Sequence, residues 1–274
     1  MRTSVITVVS GRHEHLRGQL RGLAQSMLEP EQHIVVAIGD GEIARVVADT
    51  ESTAQVVDLA APQGRLPIGQ ARNEGARVAL DGGADLLVFL DVDCIPSPEL
   101  LTRYHDCATQ PDHRTSLLCG PVTYLPARSS AWAIEELQAH TDPHPARPNP
   151  VAGVVETGKN FDLFWSLSFA LSTDTWNRIG GFHDEYVGYG GEDTDFAAVA
   201  RSIGVGLRWV GGAHAYHQHH RVSSPPIEHL DDIVRNAALF HRRWSRWPMA
   251  GWLDEFERDG RIVRNPDGSI DRIA

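Results

Sequence analysis

Two aspartates one residue apart, Asp91 and Asp93, follow the apolar run LLVFL at 86 to 90. Buried carboxylates are costly unless they are paired or bound to metal. Residues i and i+2 of a strand share a face, so both carboxylates at this strand end are expected to meet one ligand. Two like charges that close repel unless a cation lies beside them. Hard divalent ions such as Mg²⁺ or Mn²⁺ take oxygen ligands and bridge a carboxylate to a substrate phosphate. The bland alternative is a turn, because Asp caps strand and helix ends and SPE at 97 to 99 reads as a helix start.

Three further groups stand out. In GYGGEDTDF, 188 to 196, three glycines free the backbone just before Glu192 and Asp193 begin a helix. Acids at a helix start offset its dipole, and that role is assigned to Asp195. Glu192 and Asp193 also suit holding an acceptor hydroxyl and removing its proton. In AHAYHQHHRV, 213 to 222, four histidines crowd a strand end. Imidazole suits transition metals. In an extended chain His217 and His219 share a side and His220 opposes them. In GRLPIGQARNEGA, 64 to 76, Arg65 and Arg72 could meet a diphosphate, with Asn73 beside them. The alternative for this segment is a solvated helix face.

The elements that must position these groups follow from hydrophobic period. Strands are expected at 4 to 9, 33 to 40, 54 to 59 and 86 to 90. Helices are expected between them: one carrying Leu16, Leu20, Leu23 and Met27, a short one near 41 to 49, and one carrying Ile68, Ala71, Gly75, Val78, Ala79 and Gly82. Alternating strand and helix marks an α/β domain with a mostly parallel sheet. Ligands of such sheets bind beyond the carboxyl ends of the strands. Ser10, Gly11, Arg12, Asp40, Asp91 and Asp93 all sit at such ends. The second half is less regular: a strand over 116 to 124, a helix near 130 to 140, a strand over 165 to 172, a helix with Phe196, Val199, Ala200 and Ile203, and a strand over 205 to 210. A long C-terminal helix carries Ile227, Leu230, Val234, Ala237 and Phe240. The segment 140 to 150 holds four prolines and reads as a loop that closes over substrate. Trp244, Trp247 and Trp252 read as packing residues.

Composition bounds the function. A net charge of −11 argues against sequence-independent nucleic-acid binding. The three cysteines, Cys94, Cys107 and Cys119, form neither a close pair nor a zinc motif, and a reducing cytoplasm fits them. No apolar run approaches the roughly 20 residues of a membrane span, and the apolar stretch at the N-terminus is too short for a signal peptide.

The ordered set P-I-G-x-A-R-N-x-G-A, F-L-D-x-D, G-G-F-x-x-E-Y-x-G-Y-G-G-E-D-x-D and a histidine cluster resembles glycosyltransferases of the GT-A fold. The pattern is similar to bacterial family 2 enzymes whose C-terminal part is like that of the animal β-galactosyltransferases. It spans roughly residues 4 to 220. The resemblance implies a Rossmann-like sheet flanked by helices in a single domain. Residues 1–125 would form the nucleotide-sugar half, 126–224 the acceptor and catalytic half, and 225–274 a C-terminal helical segment. It also implies a nucleotide-sugar donor, by default UDP-linked, a hydroxyl-bearing acceptor, and Mn²⁺ or Mg²⁺. Asp91 would touch the ribose or a metal-bound water, and Asp93 would bind the metal with His217 or His219. The nucleoside pocket would fall on Ser10, Gly11, Arg12 and Asp40, with Arg72 and Asn73 nearby. Tyr189, Gly190, Gly191 and Glu192 would contact sugar and acceptor, and Asp193 would be the general base of an inverting transfer. Tyr189 stands where the family usually has tryptophan, and Thr194 where it has an acid. A nucleotidyltransferase of related fold would need a glycine-rich, basic segment after the first strand, and SGRHEHLRG is poor in glycine. A non-catalytic nucleotide-sugar binder is the other alternative, and the full set of acids argues against it.

Overall fold

The structure is a computed structural model that describes residues 1–61, 64–221 and 223–273; Val222, at the end of the histidine stretch, lies outside the described residues. The first half alternates strictly: β1 (Thr3–Val9), α1 (His13–Leu23), β2 (Gln32–Ile38), α2 (Ile43–Asp49), β3 (Gln55–Leu59), α3 (Ile68–Asp81) and β4 (Leu86–Leu90). Next come β5 (Cys94–Pro96), α4 (Leu100–Thr109), β6 (Ser116–Cys119), β7 (Val122–Tyr124), α5 (Ile134–Leu137), β8 (Val155–Gly158) and β9 (Ser168–Ser172). The chain ends with α6 (Thr173–Ile179), α7 (Glu192–Ser202), β10 (Gly206–Val210), β11 (Ala215–His217), α8 (Leu230–Trp244), α9 (Ala250–Arg258), β12 (Ile262–Arg264) and β13 (Ile270–Arg272).

Eight strands form the central sheet in the order β3-β2-β1-β4-β9-β6-β10-β8. β9 and β8 run against the other six. The sheet is therefore mostly parallel, as the apolar, both-faces-buried character of β1, β2 and β4 requires. Helix α3 covers one face through Ala71, Ala76 and Ala79, and α1 the other through Leu16 and Leu20. The parallel strands bring Ser10–Arg12, Asp40 and Asp91 to one edge of the sheet.

A second sheet, β5-β11-β7, lies at that edge. β11 pairs antiparallel with β5, and His217 stands opposite Cys94. The Gln218 amide then donates to the Asp93 carbonyl at 2.7 Å. This register sets the histidine segment beside the D-x-D turn.

Several sequence expectations need correction. The strand expected over 116 to 124 is two strands in different sheets. Gly120 and Pro121 break it, because a side chain at Gly120 would lie 1.8 Å from the Ala213 carbonyl oxygen and Pro121 has no N–H to donate. The helix near 130 to 140 is only one turn, Ile134–Leu137, followed by a 3₁₀ turn over Gln138–His140. Met27 lies past the end of α1 and is exposed, and Ile203 lies past the end of α7. β8, α9 and the β12–β13 hairpin carry no period strong enough to have been read.

The C-terminal segment is bolted to the body through Asp195. This aspartate is 1 % exposed. It accepts hydrogen bonds from Arg243 Nε at 2.8 Å, Trp244 Nε1 at 2.6 Å and Tyr186 Oη at 3.2 Å. It therefore anchors α8 to α7 rather than serving the dipole of α7 alone. Removing the carboxylate leaves the buried Tyr186 hydroxyl and the Trp244 N–H without their acceptor, at a cost of about 1–3 kcal/mol. Asp195→Ala should lower unfolding stability by an amount of that order, measured by urea titration. A loss within the scatter of ordinary surface substitutions would show that the bolt is not structural.

Candidate active site

Asp91, Val92 and Asp93 occupy a tight turn between β4 and β5, closed by the Cys94 amide donating to the Asp91 carbonyl at 2.8 Å. The two carboxylates therefore do not share a strand face, as alternation would have had it. They diverge to different partners. Gln19, fully buried in α1, holds the turn from behind: its amide donates to the carbonyls of Asp91 at 2.7 Å and Cys94 at 3.2 Å. Thr7 Oγ1 fixes the Gln19 oxygen at 2.8 Å. Nothing in the sequence singled out Gln19, since one polar residue on an amphipathic helix is unremarkable until its buried partners are seen.

Asp91 faces Arg72. The guanidinium donates to Asp91 Oδ1 at 2.9 Å and to Glu192 Oε1 at 3.1 Å, and Arg72 is 3 % exposed. Its charge is thus committed to two carboxylates, which revises its expected place at the base or phosphates. Arg65 is exposed. Asn73 is a structural bridge rather than a donor contact. Its amide receives the Phe182 N–H at 2.8 Å and donates to the Phe182 carbonyl at 2.8 Å and Asp184 Oδ1 at 3.0 Å, so both ends are used.

Asp93 faces the histidines. Its oxygens lie 3.4 Å from His217 Nε2 and 3.4 Å from His220 Nε2, and Arg12 Nη1 reaches Oδ2 at 3.2 Å. One ligand atom from each of Asp93, His217 and His220 lies within 4.8 Å of the others. The third ring is His220, not His219. β11 ends at His217, so strand alternation no longer governs the next residues. His219 is exposed, and its carbonyl meets His15. Asp91 stands outside this cluster, with Arg72. Burial alone would raise the Asp93 carboxyl; the His220 hydrogen bond and the charges of His217 and Arg12 reverse this and bring it to about 2. Burial holds His217 below its usual value, against the pull of Asp93. An ionised carboxylate beside a neutral imidazole is the donor state a divalent transition ion requires.

The expected nucleoside residues gather at the ends of β1 and β2. Asp40 Oδ2 accepts from the Gly11 amide at 2.8 Å and lies 2.8 Å from His13 Nε2. Ser10 precedes this contact, and Arg12 turns back to Asp93 in a left-handed conformation at φ 50°. His13 is a member of this group that sequence reasoning missed.

Glu192 and Asp193 open α7 after a glycine turn. A side chain at Gly188 would lie 2.0 Å from Asp232, and Gly190 has φ 82°. The turn is held from α8: Asn236 Nδ2 donates to the carbonyls of Gly190 at 2.8 Å, Val187 at 3.2 Å and Tyr189 at 3.2 Å, while Arg235 also meets the Val187 carbonyl. Glu192 is 8 % exposed, and its Oε2 meets no hydrogen-bond donor. Asp193 Oδ1 accepts from the Thr194 amide at 2.6 Å. Burial, and then the charge of Glu192, raise the Asp193 carboxyl to about 7 against the pull of Arg72. Burial likewise raises Asp91 to about 6, partly offset by Arg72.

These residues share a cleft of about 740 Å³. Arg72, Asp91, Glu192 and Asp193 line its floor, with Tyr189, Gly190 and Thr194 beside them. The candidate metal cluster of Asp93, His217 and His220 adjoins it through Asp91 and through Tyr124, whose ring lies 4.6 Å from that of His217. Trp247 and Trp252 also line the cleft, which adds an exposed role to the packing expected of them; Trp252 stacks 5.9 Å from Tyr189. Trp165, His144 and Ala146 complete the rim. The 140 to 150 segment lines the cleft through His144 and Ala146 and is tied to the body. His144 N donates to the Val122 carbonyl at 3.0 Å and Asp142 N to Thr123 Oγ1 at 3.0 Å. Arg147, 5 % exposed, lies between Trp165 and Trp209 at 5.3 and 4.8 Å from their ring centres.

The match to known proteins falls on the same residues. Residues 158–221 match a family model described as the N-terminal domain of galactosyltransferase, a span that holds the glycine turn, Glu192, Asp193 and the histidines. The chain is 26 % identical over 229 residues to validoxylamine A glucosyltransferase of Streptomyces hygroscopicus subsp. limoneus, covering 74 % of this chain and 48 % of that protein. It is 27 % identical over 217 residues to chondroitin synthase of Escherichia coli, covering 67 % and 30 %. The chain thus spans less than half the length of these curated relatives. Among solved structures, S. aureus TarS 1-349 in complex with UDP-GlcNAc superposes with a TM-score of 0.61 at 13 % identity, covering 86 % of this chain and 66 % of that one. GalNAc-T7 with UDP, GalNAc and Mn²⁺ gives 0.60 at 12 % identity, covering 94 % and 57 %. The mostly parallel sheet and these solved structures show the GT-A fold, and the chain is similar to glycosyltransferases over the span that carries the strand-end acids and the histidines.

Proposed function

We propose that this protein is a glycosyltransferase that moves a sugar from a nucleoside diphosphate sugar, UDP-linked by preference, to an acceptor hydroxyl with inversion at the anomeric carbon. The observation that carries the reading is the shared cleft. Asp193, a carboxylate raised toward neutrality, opens on the same space as Asp91, and the Asp93–His217–His220 cluster adjoins that space. Two of the structural relatives were solved with Mn²⁺, one with UDP and one with GDP-Man.

In this reading Asp93, His217 and His220 would hold a divalent ion, which would supply positive charge to stabilise the diphosphate leaving group. Gly11, Asp40 and His13 form the nucleoside end. Arg72 keeps Asp91 and Glu192 in place. Asp193 accepts the proton of the attacking hydroxyl; the new bond forms from that oxygen to the anomeric carbon, and the bond to phosphate breaks with its electron pair. Attack opposite the diphosphate inverts the centre, and no nucleophilic carboxylate is needed.

Two outcomes are expected. Asp193 must be ionised to act, so kcat/KM should rise with pH through about 7 and then level. Asp193→Asn should lower transfer by about 10²–10⁴-fold, the usual worth of a general base. The fold holds the Asp193 carboxyl above its unfolded value, so its contribution to stability is lost as pH rises through about 7. The same variant should therefore melt no lower than the parent at pH 8. Retained transfer in it would remove Asp193 as the base. Separately, Mn²⁺ should raise the melting temperature of the parent and of His219→Ala but not of His220→Ala. The reverse pattern in the two histidine variants would place the ion elsewhere.

A further inference from the structure

We propose that His144 reads the sugar being transferred, donating its Nε2–H to one of that sugar's oxygens inside the cleft. The inference rests on the transferase reading above and adds to it a residue that decides which sugar the donor carries.

The 140 to 150 segment uses every polar atom of His144 but one. The His144 amide donates to the Val122 carbonyl at 3.0 Å, and its carbonyl accepts from the Arg147 amide at 3.1 Å. Its Nδ1 accepts from the Ala146 amide at 3.2 Å. In a neutral imidazole one ring nitrogen accepts and the other carries the proton. The Ala146 contact therefore assigns the proton to Nε2. Nε2 meets no partner among the described residues, and it is not one of the polar atoms walled off from solvent. Arg147 anchors this turn from behind. Its side chain packs between the rings of Trp165 and Trp209, and its guanidinium is enclosed and without an acceptor. What Arg147 offers the cleft is thus the turn it holds, and the group that turn presents is the His144 N–H.

The place of this ring decides which part of the substrates it meets. The imidazole lies edge-on to Trp165, with ring centres 5.0 Å apart, and 5.6 Å from Tyr124. All three rings line the cleft together with Asp91 and Asp193. Tyr124 also lies 4.6 Å from His217, a member of the candidate metal cluster. A sugar whose diphosphate sits at that cluster and whose anomeric carbon faces Asp193 passes beside Tyr124, within reach of His144. With Nδ1 already taken, this imidazole can only donate. It favours a sugar that presents an acceptor oxygen at this point. A sugar that presents none leaves the N–H unpaired, and a site built to hydrogen-bond its substrate rejects such an analogue.

The test measures binding of UDP, UDP-glucose, UDP-galactose and UDP-N-acetylglucosamine by isothermal titration with Mn²⁺ present. It compares the parent with His144→Phe and His144→Gln. Phenylalanine keeps the ring packing against Tyr124 and Trp165 and removes the N–H. Glutamine carries an amide N–H to about the reach of Nε2. At least one of the UDP-sugars should bind the parent more tightly than UDP does. His144→Phe should weaken that UDP-sugar about tenfold while UDP itself changes by less than about twofold. His144→Gln should recover most of the loss. Equal losses for UDP and UDP-sugar in His144→Phe would make His144 a structural residue and overturn the inference. So would an unchanged UDP-sugar affinity, no recovery in His144→Gln, or a parent for which no sugar improves on UDP. The two levels separate cleanly. A parent that binds neither UDP nor any UDP-sugar sinks the transferase reading itself, whereas UDP-sugar binding that ignores His144 sinks this inference alone.

Discussion

One buried guanidinium holds the acid floor of this protein together. Arg72 projects from α3 and reaches both Asp91 at the end of β4 and Glu192 at the start of α7. Without it, three carboxylates would share one cleft floor unopposed, and their mutual repulsion would force protons onto them. With it, Asp91 and Glu192 are pinned, while Asp193 is left close to the balance point between its two protonation states. The same contact joins the two halves of the chain. A residue read in sequence as a phosphate contact turns out to be the keystone of the carboxylate array.

The second dependence runs through the C-terminal helices. Asn236 grips three carbonyls of the glycine turn, and Asp195 grips α8 in return. The first turn of α7 is therefore held on both sides by side chains from more than 40 residues downstream. Glycines permit the tight backbone that presents Glu192 and Asp193, and they also leave it loose. The polar grip from α8 removes that looseness. Gln19 does the same for the D-x-D turn from the other end of the chain. Each acidic element of the cleft thus rests on a buried amide that makes several hydrogen bonds to backbone carbonyls.

Much of the fold could be read from the sequence, for a plain reason. β1, β2 and β4 are buried on both faces and read as continuous apolar runs, and α1 and α3 carry clear helical periods. From these the parallel sheet and the placing of Asp40 and Asp91 at its edge follow. Where reading failed, local pattern had been overruled by tertiary contact. The run 116 to 124 is apolar throughout, yet Gly120 passes so close to Ala213 that the chain must change sheets there. Strand alternation favoured His219 over His220, but alternation stops with the hydrogen bonding of β11 at His217. Gln19, Asn236 and Arg147 left no mark in the sequence, because what distinguishes a buried polar residue is its partners. The two tryptophans of the cleft wall were legible as aromatic, and their dual role as packing and lining was not.

The cleft wall made by Trp247, Pro248, Met249 and Trp252 comes from a segment that belongs to neither sheet. It is a connection between two helices, attached to the body through α8. The strand-end acids and this aromatic wall are thus encoded in separate stretches of chain and meet only in space. In the proposed transfer, exchange of this short connection would change the surface an acceptor meets while the strand-end acids and the histidine cluster stay in place.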